Sequence, residues 1–137
     1  MLNNLKLHHV GYVVSDMKPT IEEFEKLGFV ASKILYDDAL TVELCYLYKD
    51  GTTPIELVSQ KKLDSLEQKL FERNGVMPYH LCFESADIYS TCNMLVANGY
   101  EKLFEPVMVN ALGGKMICYL FKKEIGYIEI VTKWKKQ

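Results

Sequence analysis

The chain has 137 residues, the size of one domain, and can bury about two-thirds of its unfolded surface. Hydrophobic residues make up 49% and charged residues 25%, with 16 Lys plus Arg against 18 Asp plus Glu and a formal charge of −2. That balance excludes disordered and fibrous classes, and a single arginine (Arg73) leaves little with which to build a basic face for nucleic acid. No apolar run approaches the roughly 20 residues of a membrane span. The opening Met1-Leu2-Asn3-Asn4 lacks the charged and apolar pattern of a secretion signal. The expectation is a compact soluble cytoplasmic domain with neither a nucleic-acid nor a membrane partner. Its cysteines (Cys45, Cys82, Cys92, Cys118) form no CxxC pair, so they are expected to be reduced and buried as small hydrophobes.

An internal repeat organises the chain. His9-Val10-Gly11-Tyr12-Val13-Val14-Ser15-Asp16 aligns with His80-Leu81-Cys82-Phe83-Glu84-Ser85-Ala86-Asp87, 71 positions later. Gly28-Phe29 then matches Gly99-Tyr100 at the same offset. Ile55-Glu56-Leu57-Val58 matches Ile128-Glu129-Ile130-Val131 at an offset of 73. The chain therefore reads as module one, about 5–60, and module two, about 78–133, within one domain spanning 1–137.

Each module opens on an apolar, aromatic-rich run of strand type, His9 to Val14 and His80 to Phe83. Asp16 and Asp87 are placed to cap the following helix, with Pro19 tolerated in the first turn of the first one. Ile21, Phe24 and Leu27 predict one buried helical stripe; Ile88, Cys92, Leu95 and Val96 predict the other. Gly28 and Gly99 end these helices by reaching positive φ. Strands follow at Thr41 to Tyr48 and Ile55 to Ser59, then at Lys115 to Phe121 and Tyr127 to Thr132. A further strand is expected in each module, near 30–35 and 100–104. Leu63, Leu66, Leu70 and Phe71 mark a linking amphipathic helix over about 62–74. The closing Lys133-Trp134-Lys135-Lys136 reads as a solvated tail. The fold class is α+β, with curled antiparallel sheets backed by helices around a cleft.

Glu56 and Glu129 each interrupt a short apolar strand, and burying a lone carboxylate costs several kcal/mol or forces protonation. Twice-repeated, such a carboxylate needs a partner. Strand alternation places His9, Gly11 and Val13 on one face and Val10, Tyr12 and Val14 on the other. If the first and last strands of both modules line the cleft, the repeat gathers His9, Glu56, His80 and Glu129 around one point. Two imidazoles and two carboxylates suit one divalent ion such as Zn, Ni, Co, Mn or Fe(II). His8 points to the opposite face from His9 and is left outside this set.

Leu7-His8-His9-Val10-Gly11-Tyr12-Val13-Val14-Ser15-Asp16 resembles the opening strand of the vicinal oxygen chelate (glyoxalase/bleomycin resistance/dioxygenase) superfamily. Pro78-Tyr79-His80-Leu81-Cys82-Phe83-Glu84 resembles its second histidine strand, and Gly126-Tyr127-Ile128-Glu129-Ile130-Val131 its closing strand. The resemblance spans essentially the whole chain and is strongest toward methylmalonyl-CoA epimerases and glyoxalase-like proteins. It implies paired βαβββ modules, a homodimer, and a metal that chelates two neighbouring substrate oxygens and stabilises an enolate. It implies His9, Glu56, His80 and Glu129 as metal ligands, with Glu129, Asp37, Asp38 or Glu43 as the acid or base. The loop Pro106 to Lys115 would face the substrate.

The leading expectation is an isomerase or epimerase that abstracts a proton α to the carbonyl of an acyl thioester. The first alternative is a glyoxalase-type lyase acting on a hemithioacetal. The second is a non-catalytic small-molecule binding or resistance protein.

Overall fold

The computed structural model describes residues 2–133, which form three helices and ten strands. They sort into two units, residues 9–79 and residues 2–8 joined to 80–133. The first strand, β1 (Lys6–Val13), therefore begins in one unit and ends in the other. Its leading residues belong with the second unit because Leu2 and Leu5 pack on that unit's core. No described helix is long and apolar enough to cross a membrane.

In the unit of residues 9–79, β1 is followed by α1 (Met17–Lys26), β2 (Val30–Ala31), β3 (Leu35–Asp37), β4 (Val42–Tyr48), β5 (Ile55–Ser59) and α2 (Leu66–Asn74). The strands lie in the order β2-β4-β5-β1, and β3 also pairs with β4. The other unit contains β6 (Met77–Ser85) from residue 80 onward, α3 (Ile88–Ala97), β7 (Glu101–Lys102), β8 (Val107–Val109), β9 (Lys115–Lys122) and β10 (Gly126–Thr132). Its order is β6-β10-β9-β7, with β8 also on β9. The two patterns match strand for strand.

Antiparallel pairing holds as expected within β2–β5 and β7–β10, but β1 runs parallel to β5 and β6 runs parallel to β10. The parallel pairs arise because the chain crosses over through a helix before its last strand returns beside its first. This pairing sets Gly11 opposite Glu56 and Cys82 opposite Glu129.

One face of each sheet packs on its helix. Val14, Met17, Cys45, Leu47 and Leu57 form the first core, with the Phe24 ring edge-on to Tyr12 and Phe29. Ile88, Cys92, Leu95, Cys118, Leu120, Ile128 and Ile130 form the second. Asp16 accepts a hydrogen bond from the Lys18 amide, and Asp87 one from Ser90, so both predicted caps are present. Gly28 and Gly99 follow with φ of 92° and 94°.

Leu27 and Val96 depart from the expected buried stripes. Leu27 is the residue after the last helical turn and is 61% exposed, while Val96 sits one position round from the buried Leu95. The linking helix also starts later than 62. Ser65 accepts the Gln68 amide and begins the helix at Leu66, so Leu63 lies outside it and is exposed. The stretch Pro106 to Lys115 holds β8 and a 3-10 turn at Asn110–Leu112. Of the closing basic segment, 134–136 lie outside the described residues.

A second stretch of the repeat explains how both helices are tied down. Cys45-Tyr46-Leu47-Tyr48-Lys49, at the end of β4 and just beyond it, corresponds to Cys118-Tyr119-Leu120-Phe121-Lys122 on β9, again 73 positions apart. Lys49 Nζ donates to the Leu27 carbonyl at 2.7 Å and Lys122 Nζ to the Asn98 carbonyl at 2.8 Å. Each ammonium also lies over an aromatic ring, Phe29 in one unit and Tyr100 in the other. A cation at a helix C-terminus satisfies an orphan carbonyl and opposes the negative end of the dipole. Lys49→Met and Lys122→Met should each lower stability by about 1 kcal/mol in urea unfolding, with unchanged secondary structure by circular dichroism.

Candidate metal centre

The sheet face opposite each helix carries a buried histidine and a buried glutamate. In the unit of residues 9–79, β1 alternation turns His9 onto this face, where it is 1% exposed. Glu56 on β5 is equally buried, and its Oε1 lies 3.4 Å from His9 Nε2. Tyr46, the register partner of Glu56 on β4, sets its ring perpendicular to the imidazole with centroids 5.5 Å apart.

The other unit builds the same group. His80 on β6 and Glu129 on β10 are buried, with His80 Nε2 3.1 Å from Glu129 Oε1. Tyr119 is the register partner of Glu129 on β9, and its ring centroid is 5.2 Å from the imidazole. Each unit thus holds one His, one Glu and one Tyr in the same relation.

Each pair offers a cation one imidazole nitrogen and one carboxylate oxygen. A buried carboxylate without a positive partner is strongly disfavoured, and each here faces an imidazole nitrogen. Neutral imidazole nitrogen and ionised carboxylate oxygen are both donors to borderline divalent metals. The donor set therefore fits a metal ion. His8 is half-buried and lies on the other face of β1 from His9.

The three further carboxylates proposed from sequence are placed differently from one another. Asp37 is 1% exposed and pairs with Val42, which puts it on the same sheet face as Leu44, Tyr46 and Glu56. Its Oδ2 accepts the Leu40 amide at 2.9 Å. Asp38 is exposed in the turn that follows. Glu43 is half-buried and faces the helix side with Cys45 and Leu47, away from His9 and Glu56. Strand alternation excludes it from the face that bears the pair.

The turn after Asp37 is held firmly. Gln60 is buried, and its Nε2 donates to the Leu40 carbonyl and to Thr41 Oγ1, both at 2.8 Å. Thr41 is the one described non-glycine residue with positive φ, at 56°. In the other unit the position matching Asp37 is Val109, completely buried opposite Lys115 as Asp37 is opposite Val42. One copy of the repeat keeps a hydrophobe where the other buries a carboxylate.

Tyr46 and Tyr119 were not among the residues singled out from sequence. Their signal was present in the Cys-Tyr-Leu-aromatic-Lys repeat at the same offset as the two glutamates. Gln60 had no such signal.

A family model described as the glyoxalase/bleomycin resistance protein/dioxygenase superfamily matches residues 8–119. The chain belongs to that superfamily. Solved structures that share its fold include the following three. A hypothetical protein of Bacillus halodurans is 19% identical with a TM-score of 0.84, covering 98% of this chain and 99% of its own. Methylmalonyl-CoA epimerase of Mycobacterium tuberculosis is 22% identical with a TM-score of 0.82, covering 98% and 94%. A variant of the Streptomyces coelicolor methylmalonyl-CoA epimerase, in complex with 2-nitronate-propionyl-CoA, is 22% identical with a TM-score of 0.81, covering 95% and 98%. No curated protein matches the sequence.

The cysteines of this superfamily member are free and buried, as their spacing implied. Burial pushes the Cys45 thiol up, although hydrogen bonds to Ser32 oppose it. Cys92 and Cys118 share a hydrogen bond that lowers the first and raises the second, with burial raising both. In native protein all four thiols should react slowly with an aromatic disulfide reagent, and all four rapidly in guanidinium.

Proposed function

We propose that this protein is a divalent-metal-dependent enzyme of its superfamily that moves a proton at the carbon next to a carbonyl. His9, Glu56, His80 and Glu129 would hold one ion, Zn, Ni, Co, Mn or Fe(II). The observation that carries this reading is the buried imidazole–carboxylate pair, constructed twice at matching positions of a repeat. When bound, such an ion supplies positive charge that stabilises an oxygen next to the carbon losing its proton.

The remaining work falls to this chain's own groups. Asp37 is the proposed general base, since it is buried on the pair-bearing face of its unit and replaces a hydrophobe of the repeat. The Leu40 amide fixes its Oδ2, and Gln60 fixes the turn that presents that amide. Glu129 is the second candidate, able to act as ligand and to carry the proton. Asp38 and Glu43 lack that placement.

The proposed substrate is a small acyl thioester, as the epimerases of the same fold suggest by their names and bound acyl-CoA compound. A glyoxalase-type lyase acting on a hemithioacetal would use the same proton movement. A cytoplasmic homodimer is part of the same proposal; the four reduced thiols agree with a reducing compartment.

Calorimetric titration of tag-free, chelator-stripped protein with Co(II) or Ni(II) should give one ion per chain. His9→Ala should abolish this binding, and His8→Ala should leave it unchanged. Absence of binding by the unaltered protein would favour a small-molecule binding protein instead. With metal loaded, deuterium should wash from solvent into the α-carbon of methylmalonyl-CoA; turnover of the methylglyoxal–glutathione adduct alone would identify the lyase. On whichever substrate is turned over, Asp37→Asn should lower kcat by about 100-fold or more while metal affinity holds. Asp38→Asn should stay within about twofold of the unaltered enzyme, because its carboxylate is exposed in the turn.

A further inference from the structure

Much of the sheet face that carries the His–Glu pairs has diverged between the two copies of the repeat. Gly11 corresponds to Cys82, Asp37 to Val109 and Val42 to Lys115. Against this divergence the histidine, the glutamate and the tyrosine keep their identity, as does one buried valine (Val58 and Val131). The valine fills core. The tyrosine is harder to explain by packing, since Tyr46 is buried while Tyr119 is only half-buried.

What the two tyrosines share is their position against the pair. Each is the register partner of its unit's glutamate on the neighbouring strand, and each ring lies 5.2–5.5 Å from its unit's imidazole. The Tyr46 ring stands at 78° to His9 and the Tyr119 ring at 58° to His80. Aromatic rings in contact, edge-on for Tyr46 and tilted for Tyr119, attract one another and hinder each other's rotation. An imidazole can donate to a cation only along the direction of its ring nitrogen, so rotation about its last side-chain bond misdirects that donor. Both tyrosine rings are themselves backed by aromatics, Tyr46 by Tyr48 in a stack and Tyr119 by Phe104 edge-on.

We infer that Tyr46 and Tyr119 are positioning residues that hold the His9 and His80 imidazoles at the angle a metal ion requires. The ring rather than the hydroxyl carries this role. The inference rests on the proposed four-residue metal centre and adds two residues to its surroundings.

The test is calorimetric titration with Co(II) of the full-length protein and of Tyr46→Leu, Tyr46→Phe, Tyr119→Leu and Tyr119→Phe. Melting of the metal-free proteins shows that each variant folds, and the visible Co(II) spectrum reports the ligand geometry. Each leucine variant should bind about tenfold more weakly with an altered spectrum, and each phenylalanine variant should stay within about threefold of the parent. Equal affinity and spectrum in folded leucine variants would overturn the inference while leaving the metal centre intact. Equal loss in the phenylalanine and leucine variants would overturn the assignment to the ring. Absence of Co(II) binding by the unaltered protein would overturn metal centre and inference together.

Discussion

A carboxylate in the middle of a buried strand needs a partner on the same face, and this requirement organises both units of the protein. Glu56 and Glu129 are each 2% exposed and sit in strands whose other residues are mostly buried, so each carboxylate is largely withdrawn from water. The parallel pairing of first and last strand supplies the answer. It brings the histidine that opens the module to within 3.1–3.4 Å of the glutamate near its end. The crossover helix makes that parallel pairing possible and covers the opposite face of the sheet.

Duplication made the arrangement economical to specify. The same capping aspartate, the same positive-φ glycine after the helix and the same lysine on the helix C-terminus appear in each copy. These features stabilise the scaffold, and they recur because a helix end has the same unsatisfied groups wherever it occurs. Beside the repeated His–Glu pair, the differences between copies also mark positions that the shared scaffold does not require. Asp37 against Val109 is the clearest: one copy buries a carboxylate that accepts the Leu40 amide where the other buries a valine.

The superfamily supplies a context in which one scaffold hosts several reactions. Within that context, the pair-bearing face and the turn after β3 are where this chain concentrates its buried polar side chains. The turn is unusual in combining a non-glycine residue at positive φ with a buried glutamine side chain that closes it. Backbone strain held by this polar clamp fixes the turn whose Leu40 amide donates to the Asp37 carboxylate.

The repeat, the strand–helix–strand order and both helix caps were legible in the sequence because each depends on spacing or on a local rule. The same spacing singled out His9, Glu56, His80 and Glu129, all four of which are buried. Alternation along β1 was enough to separate His9 from His8, and a glycine after each helix was enough to end it. Tertiary structure decided what depends on register between distant strands. Register placed Asp37 on the pair-bearing face and Glu43 on the helix face, although both are acidic residues flanking one short turn. It also brought Tyr46 and Tyr119 against the imidazoles, and it ran the first and last strands of each module parallel. A one-residue change of register would exchange every inward side chain for an outward one, and no local signal in a single strand reports which register its neighbour will adopt.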